Sequence, residues 1–288
     1  MQMMAAEEVQ IRVEDDGLAC PEIRRWAETK YRLISLYDEL FATGMKYKWH
    51  QRVYIDLYAG AGYGRLKGTD TILIGSPLIA LKVANPFDKY IFCEDDEELL
   101  EALKVRVKRI APNADVTFIP GSCDDNIAQI CAAIPRASAT NKVLSLCLTD
   151  PFDFGLKFET LRKLSSSFID FLVLLAVGMD ANRNQDHYVD GNNQKIDEAL
   201  GNTEWRLRWK SDTRPNKSFM PFLATEFSRS MQTLNYIEQH LDQMKMVRSD
   251  EKNLRLYYLA LFSRHQTAYK FWDDVLKYGT DQSQFVWE

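Results

Sequence analysis

Five dense apolar runs punctuate the first two thirds of the chain, at residues 52–57, 89–93, 115–119, 143–149 and 169–177. Several are almost continuously hydrophobic, the pattern of strands covered on both faces. Between them the apolar positions shift to helical spacing, at 76–84, 96–110, 124–134 and 158–166. Pro77 suits the first turn of the first of these, with Ser76 as its cap. Strand and helix in alternation predict a parallel sheet with crossover helices. Ahead of the first run, Trp26, Tyr31, Leu33, Ile34, Tyr37, Leu40 and Phe41 predict a helix that opens at Pro21 and ends near Gly44. Trp26 and Lys30 share one face of it.

Both ends of this pattern differ from its centre. Residues 1–20 are acidic, without a period, and predict a flexible N-terminus. Residues 180–215 are polar and 218–246 helical, which predicts an insertion over 180–250. A sixth strand at 255–262 (RLYYLALF), a helix at 268–278 and a last short strand at 284–287 follow. The expected fold is α/β: a doubly wound, mostly parallel seven-stranded sheet with an N-terminal helix and a helical insertion before the last strands. It forms one domain over 21–288.

Composition narrows the function classes. The chain has 288 residues, 46% hydrophobic and 27% charged, as in an ordinary globular domain. Its net charge of −5 argues against a generally basic nucleic-acid coat. The five cysteines include no CxxC pair, which predicts neither a disulfide framework nor a zinc site. No basic flank with an apolar core opens the chain, and the longest apolar stretch, 168–179, is interrupted by Asp170. A cytoplasmic protein without a membrane partner is expected.

The first run ends in YIDLYAGAGYG over residues 54–64. Gly60, Gly62 and Gly64 allow a tight strand-to-helix turn and close approach of a ligand to the backbone. Asp56 precedes the glycines, and the spacing is GxGxG. A pyrophosphate is disfavoured beside that carboxylate, whereas the sulfonium and ammonium groups of S-adenosylmethionine (SAM) are favoured. Asp56, Tyr58, Ala59, Gly60 and Gly62 are the expected cofactor turn. Glu94, at the end of the second strand, can accept from both ribose hydroxyls. Ser122, Cys123 and Asp124 follow the third strand, where an adenine edge would lie; a helix cap at Ser122 or Asp124 is the alternative.

The fourth strand ends in LTDPFDFG. Asp150 can hold an amino group, and Phe152, after Pro151, can stack on a planar base. The turn resembles the (D/N)PP(Y/F) signature of amino-methyltransferases without its second proline. Asp150, Pro151 and Phe152 are therefore the candidate catalytic residues, with an amine of a nucleic acid or nucleotide as one acceptor class. A competing reading has Asp56, Glu94 and Asp150 hold magnesium for hydrolysis; another is a non-catalytic binding protein. His265, after the sixth strand, is a candidate base. Trp205, Arg206, Arg208 and Trp209 either stack on bases or pack on a helix face.

The ordered set Trp26…Lys30, YIDLYAGAG (54–62), GSPLIAL (75–81), GSCDDN (121–126), LTDPFDFG (148–155) and LYYLALFSRH (256–265) resembles the three-Cys-motif partner (TcmP-like) family. The resemblance implies a class I methyltransferase-like Rossmann fold, SAM as cofactor, and a protein partner encoded nearby. It implies no functional role for the cysteines. The family's acid after the third-strand glycine is replaced here by Ser122, with Asp124 as the substitute.

Overall fold

The computed structural model describes residues 11–151, 155–176, 188–189, 193–214, 217–248 and 255–281. Two short strands, β1 (Arg12–Val13) and β2 (Glu22–Ile23), lead into α1 (Trp26–Met45). β3 (Gln51–Asp56) is followed by a hairpin of β4 (Tyr63–Leu66) and β5 (Ile72–Ile74), then α2 (Ser76–Leu81). β6 (Lys89–Glu94) feeds α3 (Glu97–Ile110), whose first turn is capped by the Asp96 carboxylate accepting from the Glu98 and Leu99 amides. β7 (Val116–Pro120), α4 (Ile127–Ala133), β8 (Val143–Thr149), α5 (Phe158–Leu164) and β9 (Ile169–Leu175) continue the alternation. Three helices follow, α6 (Lys195–Leu200), α7 (Trp205–Ser211) and α8 (Phe219–Gln232). The edge strand β10 (Lys245–Arg248), β11 (Arg255–Phe262) and α9 (Gln266–Asp281) complete the described chain.

The large sheet has seven strands in the order β10-β11-β9-β8-β3-β6-β7. β3, β6, β7, β8 and β9 are mutually parallel, and β11 runs antiparallel to β9 and β10. From the β7 side the order is third, second, first, fourth, fifth, seventh, sixth, with the seventh reversed. This is a doubly wound, mostly parallel seven-stranded sheet.

Strand periodicity divides the core in two. Val53 and Ile55 face the layer of α4, α5 and α8, while Tyr54 between them faces that of α1, α2, α3 and α9. Among the described residues no helix is long and apolar enough to cross a membrane.

The structure corrects several expectations. Residues 11–20 are not loose: β1 pairs with β5, β2 pairs with β4, and together they make a second, four-stranded sheet. Its strands span two to four residues, too short to show a period. Pro21 leads into β2, and the helix starts at Trp26. A strand of the large sheet, Lys245–Arg248, lies inside the segment expected as an insertion, because an edge strand needs a partner on one side only. The strand expected at 284–287 lies outside the described residues.

Candidate active site

Parallel strands of such a sheet deliver their carboxyl ends to one edge. At that edge β3 stops at Asp56, which is fully buried. Its Oδ1 accepts from the Tyr58 amide at 3.2 Å, and its Oδ2 has no partner among the described residues. Burial pushes Asp56 up to about 7, against the Ser76 hydroxyl and the Tyr58 amide, which pull it down. Behind it Asp38 of α1 is buried with neither oxygen partnered, and desolvation holds it well above the carboxylate range.

Two glycines of the turn have left-handed backbones, Gly60 at φ +60° and Gly62 at φ +78°, and their roles differ. A Cβ on Gly62 would meet Leu103 and Leu78 at 2.9 Å, so this glycine lets the turn pack on α3 and α2. A Cβ on Gly60 would meet nothing within 4 Å: the space above it is open.

Hydrogen bonds stitch the turn to the neighbouring strand. The Ala59 amide donates to the Cys93 carbonyl at 2.9 Å. The Gly60 amide donates to Glu94 Oε2 at 2.6 Å, and the Asp96 amide to Glu94 Oε1 at 3.0 Å. Glu94 thus sits at the turn, half-buried, with one backbone donor on each oxygen.

The third-strand candidates separate. Cys123 is 3% exposed and belongs to the core; burial pushes its thiol up to about 11, opposed by the Tyr58 hydroxyl. Asp124 accepts from the Thr160 hydroxyl of α5, and its amide donates to Ser122 Oγ at 3.2 Å. The pair therefore closes the turn ahead of α4 and ties that turn to α5. Ser122 stays half-buried beside Gly121, whose amide bonds the Glu94 carbonyl at 2.9 Å.

Asp150 follows β8 at the same edge and forms an ion pair with Lys30 of α1. The two side chains are 14% and 6% exposed. Burial, the largest single effect, works against the Lys30 ammonium, but the Asp150 charge and hydrogen bond together with Tyr31 and Asp56 outweigh it, and Lys30 ends above its ordinary value. The ammonium lies 5.2 Å from the Trp26 ring centroid and 4.7 Å from that of Tyr31. Tyr257 packs edge-on against Trp26 at 5.1 Å. The Tyr257 hydroxyl and Trp26 Nε1 are buried without partners among the described residues. Pro151 is buried; Phe152 lies outside the described residues.

Sequence reading missed Lys30 and Tyr257 as site residues. The shared helix face of Trp26 and Lys30 was the available signal for the first. It also missed Arg106 of α3, which is 1% exposed. Arg106 donates to both oxygens of Asp16 at 3.0 and 2.6 Å, to the Ala19 carbonyl at 2.8 Å and to the Ala61 carbonyl at 2.7 Å. Its guanidinium lies 4.1 Å from the Tyr63 ring centroid. One side chain thereby fastens the N-terminal segment to the glycine turn.

Two candidates fall away. His265 follows β11, and because β11 runs antiparallel its end lies beside Phe171 near the start of β9, at the opposite edge. Trp205 and Trp209 are core residues, 0% and 4% exposed, and do not present faces for stacking. Among the described residues no group of three His, Cys, Asp or Glu side chains could hold a metal ion. Asp150 faces Lys30 and Glu94 faces Gly60, so the three strand-end carboxylates serve different partners.

No protein-family model matches the chain, and no curated protein sequence matches it. Solved structures do. Trm1 from Pyrococcus horikoshii, in complex with S-adenosyl-L-methionine, is similar at 10% identity and a TM-score of 0.46; the match covers 92% of this chain and 64% of that one, under two thirds of its length. The O-methyltransferase TomG from Streptomyces achromogenes, in complex with SAM, is similar at 11% identity and a TM-score of 0.39, over 78% of this chain and 79% of that one. The N-terminal domain of human METTL16, in complex with SAH, is similar at 11% identity and a TM-score of 0.39, over 88% and 76%.

Proposed function

We propose that the chain is a SAM-dependent methyltransferase whose cofactor lies across the turn at residues 56–62. One observation carries this reading: a fully buried carboxylate, Asp56, keeps an unpartnered oxygen beside a glycine turn with open space over Gly60. A buried acceptor left unmade is costly, and a cationic ligand with N–H donors supplies what it lacks. The residues present fit SAM. Asp56 and the Tyr58–Gly60 backbone hold its amino-acid part, Glu94 its ribose hydroxyls, and Ser122 borders its base. Cys123 and Asp124 shape that wall from behind.

SAM supplies, when bound, an electrophilic methyl group. What the chain adds is position. The Lys30–Asp150 pair, walled by Trp26, Tyr31 and Tyr257, forms the acceptor side together with Pro151, and Phe152, outside the described residues, is kept from the sequence as the residue to stack on a planar acceptor. Lys30 occupies Asp150 Oδ2 and leaves Oδ1 to accept from an acceptor amine. An amino group of a nucleic acid or nucleotide suits that geometry. The motif set supports the finer reading of a TcmP-like protein with a partner encoded nearby.

Titration calorimetry with SAM and with its demethylated product tests the proposal. Saturable binding that is lost in Asp56→Asn, in a variant that still unfolds in one cooperative transition, is expected. Absence of heat from both ligands in folded wild-type protein overturns it.

A further inference from the structure

The helical segment between β9 and β10 contains a cleft of about 530 Å³, away from the glycine turn. Four cationic side chains line it, Arg208, Arg214, Lys217 and Arg229, against two carboxylates, Asp212 and Glu226. The whole chain carries a net charge of −5, so this excess of positive charge is local.

The acids and bases sit at different depths. Glu226 is 2% and Asp212 10% exposed, whereas Arg214 is 73% and Arg229 50% exposed. Glu226 accepts from Arg208 at 2.6 Å on one oxygen and from Arg229 on the other. Asp212 accepts from Arg214 Nε at 2.9 Å and Nη2 at 2.7 Å. Lys217 is drawn in by the Trp209 and Asp212 carbonyls at 3.1 and 3.2 Å.

The buried Glu226 and the less exposed Asp212 therefore act from beneath, fixing the guanidinium planes without covering them. Arg214 Nη1 and Arg229 Nε and Nη2 keep no partner among the described residues. Held forks of N–H donors with surplus positive charge match a multivalent oxyanion better than a single carboxylate. Pre-fixed side chains also reduce the ordering entropy that a loose basic surface would lose on binding.

We propose that this cleft binds phosphate groups, either free or as the phosphodiesters of a nucleic-acid strand. The site is independent of the cofactor reading and stands or falls without it. The double variant Arg214→Gln/Arg229→Gln removes two exposed forks and leaves Arg208 on Glu226.

Wild type and variant are titrated with sodium pyrophosphate by calorimetry and with an end-labelled single-stranded RNA by fluorescence anisotropy. Thermal unfolding and binding of the demethylated cofactor are followed in parallel as controls. The wild type is expected to bind, and the variant to bind about tenfold or more weakly, with a salt slope for RNA lower by about 1.4. Binding of pyrophosphate alone assigns a free-phosphate ligand; binding of RNA with the steeper slope assigns a strand. The proposal is overturned if neither probe binds the wild type, or if the folded variant binds as the wild type does.

Discussion

The two edges of the large sheet each bury an aspartate, and each aspartate is pushed up to about 7 by burial. Their surroundings answer that strain differently. At the amino edge the Ser263 hydroxyl and the Arg264 charge oppose the shift, as the Ser76 hydroxyl does for Asp56, but no Asp170 oxygen is a buried acceptor without a partner. Arg264 itself donates to the Ser165 carbonyl at 2.7 Å and the Leu234 carbonyl at 3.0 Å, 4.5 Å from the Tyr236 ring centroid. Tyr236 donates to the Ile169 carbonyl at 2.9 Å. At the carboxyl edge Asp56 Oδ2, the Tyr257 hydroxyl and Trp26 Nε1 have no partner among the described residues. A raised pKa alone does not separate the two. An orphaned buried acceptor marks a place for a ligand, and Asp56 has one where Asp170 does not.

Substitution should break the symmetry most sharply. Asp56→Ala is expected to weaken binding of the demethylated cofactor about hundredfold, near 3 kcal/mol for a charge-assisted bond. Asp170→Ala should leave that binding within about twofold and lower unfolding stability by about 2 kcal/mol. Calorimetry and urea unfolding of both variants decide; equal effects on both readouts would erase the distinction.

The ion pair at the carboxyl edge comes next. Lys30→Met strands the Asp150 carboxylate and should cost about 2 kcal/mol, moderated by the partial exposure of Asp150. Lys30→Arg should recover most of it in the same urea titration.

Acidity sharpens the comparison further. Free Asp56 titrates near 7, and a bound cation favours its ionised form, so cofactor affinity should fall as pH drops below about 7. Asp56→Asn should flatten that profile, and Asp170→Asn should leave it intact. For stability the sign is the reverse of the usual carboxylate. Both groups are protonated when folded but ionised when unfolded between about 4 and 7, so their contribution declines as pH rises through that window. Unfolding midpoints measured across that window should show the decline, reduced in either Asn variant.

The smallest effect separates the glycines. Gly60→Ala should cost about 1 kcal/mol for its left-handed backbone alone. Gly62→Ala should cost more in thermal unfolding, because its methyl also runs into Leu78 and Leu103.

What the sequence could reveal follows from the range of the forces involved. Strands β3, β6, β8 and β9 were legible because a strand buried on both faces must be apolar throughout. The glycine turn and Glu94 were legible because they lie at the ends of such strands. Strand direction leaves no mark in a local pattern, which is why the reversal of β11 sent His265 to the wrong edge and concealed Tyr257. Lys30 and Asp150 stand 120 residues apart and meet only through the fold. Trp205 and Trp209 have the same spacing whether they stack on a ligand or pack inward, and their neighbours Phe219 and Phe222 decided it.

Arg106 joins the Asp16–Ala19 stretch to Ala61 through a single guanidinium. A ligand that settled on the glycine turn would press on a strap whose next residue is Cys20, a free thiol at intermediate exposure. The protein carries its own labelling handle: a small environment-sensitive fluorophore on Cys20 would convert occupancy of the turn into an optical signal, and Arg106→Lys would disconnect the wire.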